Sequence, residues 1–225
     1  MSRNCISFVS APASGKGTAI KNMEELMKGF DIKTIAIGGY IRTLKKEDKI
    51  PQDHREISKE ELNKFIFERV SQDINEYYEA LGERDSILVL DSFPLYPSQF
   101  AMYEDILKEF NLNELGCVTL EVDKDVLVER QKGRLICSSC DNIYNTAIES
   151  KMPPEEGICE CGAELEKRKD DKDLEVMIGR IESYYKKDKV IMDYFEGKKK
   201  LLRIDGNDDE MFIAKEIVSY VNKNI

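Results

Sequence analysis

The sequence contains no apolar run near the roughly 18–20 residues that a membrane-spanning helix needs, so no membrane partner is expected. The opening stretch Met-Ser-Arg-Asn-Cys-Ile-Ser-Phe-Val is too short and too polar for a secretory leader. Positive charge is in deficit: 34 Lys and Arg stand against 44 Asp and Glu, for a net charge of −10. General nucleic-acid binding draws on clustered cations, so nucleic acid is not an expected partner. A small anion held by a few local cations stays open. Histidine is nearly absent. His54, in the polar stretch Pro51-Gln-Asp-His-Arg55, has no visible partner and reads as an exposed loop residue.

What is present suffices for a folded protein. The chain has 225 residues, of which 41% are apolar, enough to bury a sizeable core. That length suits one large domain, or a core carrying one or two small insertions. Of six cysteines, Cys5 and Cys117 stand alone inside apolar runs and read as core residues. The other four, Cys137, Cys140, Cys159 and Cys161, fall within 25 residues. Without a leader, a reducing cytoplasmic location is expected, and there such a cluster points to metal rather than disulfides.

Short apolar runs at Cys5–Val9, Thr34–Ile37, Ile87–Leu90, Val118–Val122 and Leu201–Ile204 predict strands. Between them lie stripes with helical spacing: Ile20, Met23, Leu26, Met27 and Phe30; Leu62, Phe65, Ile66, Val70, Ile74 and Tyr77; Phe100, Tyr103, Ile106, Leu107 and Phe110. Later stripes hold Met177, Ile178, Ile181, Tyr184, Ile191 and Tyr194, then Phe212, Ile217, Val218 and Val221. Strands alternating with helices predict an α/β fold with a five-stranded parallel sheet and helices on both faces. From Leu135 to Glu166 the rhythm stops and Cys, Pro, Gly, Ser and Asn dominate, which marks an inserted module. The short Lys198–Lys200 run reads as a solvated turn.

The segment Ser10–Thr18 follows a strand and opens a helix. There, successive backbone N–H groups and the helix terminus can cradle a phosphate, with Lys16 adding a full charge. The strict G-x-x-x-x-G-K-[ST] pattern is not met, because Ser10 stands at the first glycine position and Gly17 follows the lysine. A left-handed conformation at Ser10 or Ala13 would cost about 1–2 kcal/mol relative to glycine.

Ser10-Ala-Pro-Ala-Ser-Gly-Lys-Gly-Thr18 resembles the phosphate loop of adenylate kinases, G-x-P-G-[SA]-G-K-G-T. Further segments match in order. Gly38-Gly-Tyr-Ile-Arg42 resembles G-D-x-x-R, and Asp91-Ser-Phe-Pro-Leu95 with Gln99 resembles D-G-F-P-R…Q. Arg130-Gln-Lys-Gly-Arg134 through Cys140 resembles the start of a zinc-bearing lid. Arg168-Lys-Asp-Asp171 and Arg180 resemble the lid exit and following helix, and Ile204-Asp-Gly206 the last strand and turn.

The resemblance covers essentially the whole chain. It implies a P-loop core at 1–37, 81–133 and 168–225, a helical flap at 38–80 for the monophosphate, and a zinc-ribbon lid at 134–167. It also implies the reaction ATP + AMP ⇌ 2 ADP with Mg2+, in a monomer whose partners are small nucleotides.

Phosphoryl transfer is largely positioning and charge neutralisation, so cations should gather at the site. By the resemblance, Ser14, Gly15, Lys16, Gly17 and Thr18 cradle the ATP phosphates, with Arg130, Arg134 and Asn207 beside the donor. Gly38, Arg42 and Gln99 serve AMP, Arg42 clamping its phosphate bidentately. Arg134 and Arg168 arrive with the lid, Arg168 and Arg180 also face AMP, and Arg180 meets the transferring group. Asp91 orients magnesium-bound water or caps a helix; Asp170 and Asp171 brace the lid arginines, serve the ion or cap the next helix.

Three departures stand out: Leu95 where the family has arginine, Gly39 for aspartate and Leu135 for a second lid arginine. Arg55, Arg69 and Arg84 are candidates to compensate. A different monophosphate acceptor, or a nucleotide sensor without useful turnover, therefore stays in play. Cys137-x-x-Cys140 and Cys159-x-Cys161, separated by 18 residues, suit a closed tetrahedral structural Zn2+. A zinc ribbon for nucleic acid is disfavoured by the acidic charge.

Overall fold

Strand β1 (Arg3–Phe8) is buried from Asn4 to Phe8 on both faces, the pattern of a strand covered on each side. In the computed structural model, which describes residues 2–51, 57–82, 84–140, 142–167, 171 and 173–225, β1 is central. Among these residues the parallel sheet also contains β2 (Asp31–Ala36), β3 (Ser86–Asp91), β4 (Asn113–Glu121) and β8 (Leu201–Asp205), in the order β2-β3-β1-β4-β8. This is the five-stranded α/β sheet expected from the apolar runs.

Alternation along each strand sorts the core into two layers. Ile6, Phe8, Ile87 and Val89 pack beneath α1 (Lys16–Leu26) and α7 (Glu210–Asn224). Cys5, Leu88, Leu90 and Cys117 face α3 (Lys59–Leu81), α4 (Phe100–Glu109) and α6 (Leu174–Gly197). Cys5 and Cys117 are fully buried, as expected; burial pushes the Cys117 thiol up to about 12, which makes it inert at neutral pH.

Register places the site. Phe8, Ala36 and Asp91 lie side by side at the carboxyl edge. Three connections leave from this row: the phosphate loop after Val9, helix α2 (Ile37–Lys46) after β2, and the Ser92 turn after β3. Chains leaving the carboxyl ends of parallel strands are where α/β sites form.

Some boundaries differ from expectation. β2 spans Asp31–Ala36 rather than Thr34–Ile37, because Ile37 already opens α2. β4 begins at Asn113, although Asn113 and Glu114 are polar; their side chains bond Asn4 and Lys198. Leu26 and Phe212, counted in apolar stripes, are 43% and 50% exposed. The connecting helices α2 and α5 (Lys124–Gly133) were not marked by a stripe. Each buries little: only Ile37 in α2, and Leu127, Gln131 and Gly133 in α5.

The Cys-rich segment forms a second sheet. β5 (Arg134–Cys137) pairs antiparallel with β6 (Ile143–Asn145) and β7 (Leu165–Glu166). Its core is confined to Cys137, Tyr144 and Cys159, with Leu135, Ala163 and Leu165 against them. No helix among the described residues is long and apolar enough to cross a membrane.

Candidate active site

Helices α3, α6 and α7 begin with capping side chains, Ser58, Asp173 and Asp209, that accept their first N–H groups. Helix α1, like α2, α4 and α5, does not: Gly15 precedes it with no side-chain cap, so its terminal N–H groups face the loop unclaimed by any side chain. Gly15 sits at φ 97°, open to glycine at little cost, whereas Ala13 at φ 65° carries about 1–2 kcal/mol of strain. Ser10 is not left-handed. Its Oγ instead accepts the Leu120 N–H at 2.8 Å and ties the loop to β4. Ser14 Oγ is buried with no hydrogen-bond partner among the described residues.

Lys16, the first residue of α1, swings back to the edge of the sheet. Its Nζ lies 2.5 Å from Asp91 Oδ1 and also contacts Ser92 Oγ. Ser92 in turn donates to Asp91 Oδ1 at 3.1 Å. Gly17 and Thr18 follow in the first turn of α1.

Arg130, on α5, donates to Gly206 O at 3.0 Å and Asn207 Oδ1 at 3.3 Å, and lies 3.5 Å from Ser14 O. Burial lowers its pKa. The turn after β8 can come this close only with glycine: a Cβ on Gly206 would sit 2.4 Å from Val122 and 3.2 Å from Ser14 O. One helical turn on, Arg134 grips Asp171 bidentately, Nε to Oδ2 at 2.7 Å and Nη2 to Oδ1 at 2.8 Å. Gln131 Nε2 donates to the same carboxylate at 2.8 Å, and Arg180 Nη1 lies 3.6 Å from it. Asp171 thus braces the arginines, while Asp173 caps α6. Arg134 and Arg180 thus gather on Asp171, while Arg130 joins the turn after β8 to the phosphate loop. A cleft of about 940 Å3 lies beside it, bordered by Ala11, Val122, Asp205 and Asn207. Neither Lys16 nor Arg134 lines that cleft.

On the α2 side, the Arg42 guanidinium folds toward its own helix start, where a Cβ on Gly38 would be 3.4 Å from Nη1. Arg42 has no carboxylate partner among the described residues. Gln99 is buried, and its amide is occupied: Oε1 accepts Leu95 N at 2.7 Å and Tyr96 N at 3.2 Å, and Nε2 donates to Asn63 Oδ1 at 3.1 Å. One Nε2 hydrogen is left for a ligand. Leu95 packs against the core. Of the compensating arginines, Arg69 pairs with Asp73 at 3.2 Å and Arg84 with Asp31 at 2.6 Å. Arg168, Asp170, His54 and Arg55 lie outside the described residues.

The four lid thiols converge. All Sγ atoms lie within 4.8 Å of one another, with Cys137–Cys161 and Cys140–Cys159 at 3.5 Å. A tetrahedral zinc with Zn–S of about 2.3 Å would set sulfurs about 3.8 Å apart, so these residues could hold such an ion. The narrow Cys-x-Cys spacing does not prevent it. The Cys161 N–H and the Tyr144 hydroxyl favour the Cys159 thiolate, lowering it to about 6. Tyr144 lies 3.4 Å from that sulfur and accepts the Glu160 N–H, the outer support that thiolate sites use.

Sequence reasoning missed Gln131, Asn63, Tyr144 and Ser92 as parts of these clusters. Only Ser92 left a local signal, a serine where D-G-F-P has glycine.

Comparison with known proteins agrees with this geometry. A family model described as an AAA domain matches residues 9–149, and one described as the active-site lid of adenylate kinase matches residues 134–170. An adenylate kinase of Thermoanaerobacter pseudethanolicus is 32% identical over 217 residues, spanning 93% of this chain and 94% of that protein. One of Staphylococcus aureus is 30% identical over 226 residues, spanning 96% and 98%. With an uncapped phosphate loop, a lysine at the sheet edge and arginines gathered beside a four-cysteine lid, the chain belongs to the adenylate kinase family of nucleoside monophosphate kinases.

Proposed function

We propose that this phosphotransferase moves the γ-phosphoryl of ATP to AMP, giving two ADP. The observation that carries the reading is the uncapped start of α1, with Lys16 held at the sheet edge and Arg130 tied to the same loop, and with Arg134 and Arg180 gathered on Asp171. Backbone N–H groups from Ser14 to Thr18 would bind the ATP phosphates, and Lys16 would exchange Asp91 for the β and γ oxygens. Arg130 and Asn207 would border the donor, while Arg134, Arg168 and Arg180 would neutralise charge that develops during transfer. Arg42 and Gly38 would receive the acceptor phosphate, and Gln99 would offer its remaining N–H to the adenine.

The domain assignment follows: a core at 1–37, 81–133 and 168–225, a flap at 38–80 and a lid at 134–167. Asp91 suits Mg2+, being a partly exposed carboxylate at the carboxyl edge of the sheet. When bound, that ion offsets the negative charge of the phosphates. Cys137, Cys140, Cys159 and Cys161 would hold a structural Zn2+, a thiolate site suited to a reducing cytoplasm.

One observation favours a second reading, a nucleotide sensor with slow turnover. Leu95 packs its apolar side chain where the family pattern carries a cation, and Arg69 and Arg84 are engaged elsewhere. A coupled assay of ATP against AMP, CMP, UMP and GMP separates the two. Preferred transfer to AMP is expected. Faster transfer to another monophosphate would reassign the acceptor, and ATP binding without transfer to any acceptor would leave the sensor.

A further inference from the structure

Ser92 occupies a position built for glycine. It sits at φ 66°, where L side chains are disfavoured, and its N–H is fixed by a bond to Phe8 O at 2.8 Å. The hydroxyl is fully used. It has one proton, which it donates to Asp91 Oδ1 at 3.1 Å, and its lone pairs face the Lys16 ammonium. No other orientation works, because a carboxylate only accepts and an ammonium only donates. Lys16 Nζ also meets Asp91 Oδ1 at 2.5 Å, so ammonium, hydroxyl and carboxylate close a three-membered ring of contacts.

We propose that Ser92 is a positioning residue for the ATP site, its hydroxyl giving Lys16 a second anchor that holds the ammonium at the mouth of the phosphate loop. A lysine side chain has four rotatable bonds, and ordering it when the phosphates arrive costs binding free energy. An anchor present before ATP binds, and kept when Lys16 leaves Asp91 for the phosphates, removes part of that cost. The backbone strain at Ser92 is retained because glycine, which would relieve it, has no hydroxyl. This inference rests on the donor-site reading given above.

Two variants separate the hydroxyl from the strain. Ser92→Gly removes both; Ser92→Ala removes the hydroxyl and keeps the strain. Thermal melting, MgATP titration calorimetry and steady-state kinetics with each substrate varied are read on all three proteins. Both variants should raise the KM and Kd for MgATP about 3- to 10-fold, the worth of one hydrogen bond, and leave the acceptor KM unchanged. Their melting temperatures should part, Ser92→Gly lying above Ser92→Ala. An unchanged or lower KM for MgATP in both variants, with a wild type that binds it, overturns the role of Ser92 alone. So does an activity loss that follows melting temperature or that falls equally on both substrates. A wild-type chain that does not bind MgATP overturns the donor-site reading and this inference together.

Discussion

Asp171 is a carboxylate that solvent does not reach, and three side chains converge on it. Buried charge is costly unless paired and hydrogen-bonded, and here Arg134 supplies a bidentate partner and Gln131 a further donor. The arrangement also holds Arg134, at the first residue of the lid strand β5, near Arg180 in the core helix α6 before any anion arrives. Asp171→Asn keeps the shape but removes the charge. It should lower unfolding free energy by about 2–3 kcal/mol, most of it from the Arg134 bonds, since Arg180 is 35% exposed and partly screened. Urea denaturation measures this, and an unchanged midpoint would show that the pair contributes nothing. At this scale legibility followed locality. Lys16 and the cysteines sit in compact motifs, and Asp171 was one of several options beside Arg168. Gln131 and Asn63 matter only through partners 40 and 36 positions away, and no spacing rule reaches them.

Helix α6 ends on a clamp joining three elements. Lys198 Nζ bonds Glu104 of α4 at 2.6 Å and Glu114 of β4 at 3.0 Å, and the Tyr194 hydroxyl bonds Glu104. The sequence read the Lys198–Lys200 run as a solvated turn; its first lysine is instead a tether, because folding delivers two carboxylates to it. Hydrogen bonds from Lys198 and Tyr194 hold the Glu104 carboxyl below its ordinary 4.5. A lowered folded value means the unfolded chain binds the proton more readily, so stability rises with pH through this window. The contribution is full above about 4.5 and is lost as pH falls through the lower folded value. Glu104→Gln should therefore cost about 1 kcal/mol at pH 7, discounted for partial exposure, and less at pH 3. Chemical denaturation at both pH values checks this; an equal loss at both would assign the effect to packing. Elements were legible where a face is buried, as in α3, α4 and α6. They were not where polar contacts replace burial, as in α2, α5 and the start of β4.

Across the whole molecule, two layers of apolar side chains hold the sheet, and Leu135–Glu166 stands outside them. The sequence showed this division because helical periodicity stops at Leu135, and a segment that cannot form a layer must be stabilised otherwise. Its small cluster of Cys137, Tyr144 and Cys159 is far less than a module of this length needs to order itself. A thiolate-bound metal supplies such order: apparent zinc binding in small modules is about 10–16 kcal/mol, and it appears as folding free energy. The core does not depend on it, so metal loss should act on the lid first. Metal analysis of the purified protein is expected to give one zinc per chain. Chelation should lower the melting temperature and speed hydrogen exchange across residues 135–166, while exchange in β1, β3 and β4 stays slow. Phosphoryl transfer should fall with it, because Arg134 opens β5 and loses its fixed direction when that strand frays. Carefully prepared protein without zinc, or chelation that leaves exchange in the lid untouched, would show that the four thiols are not what orders this segment.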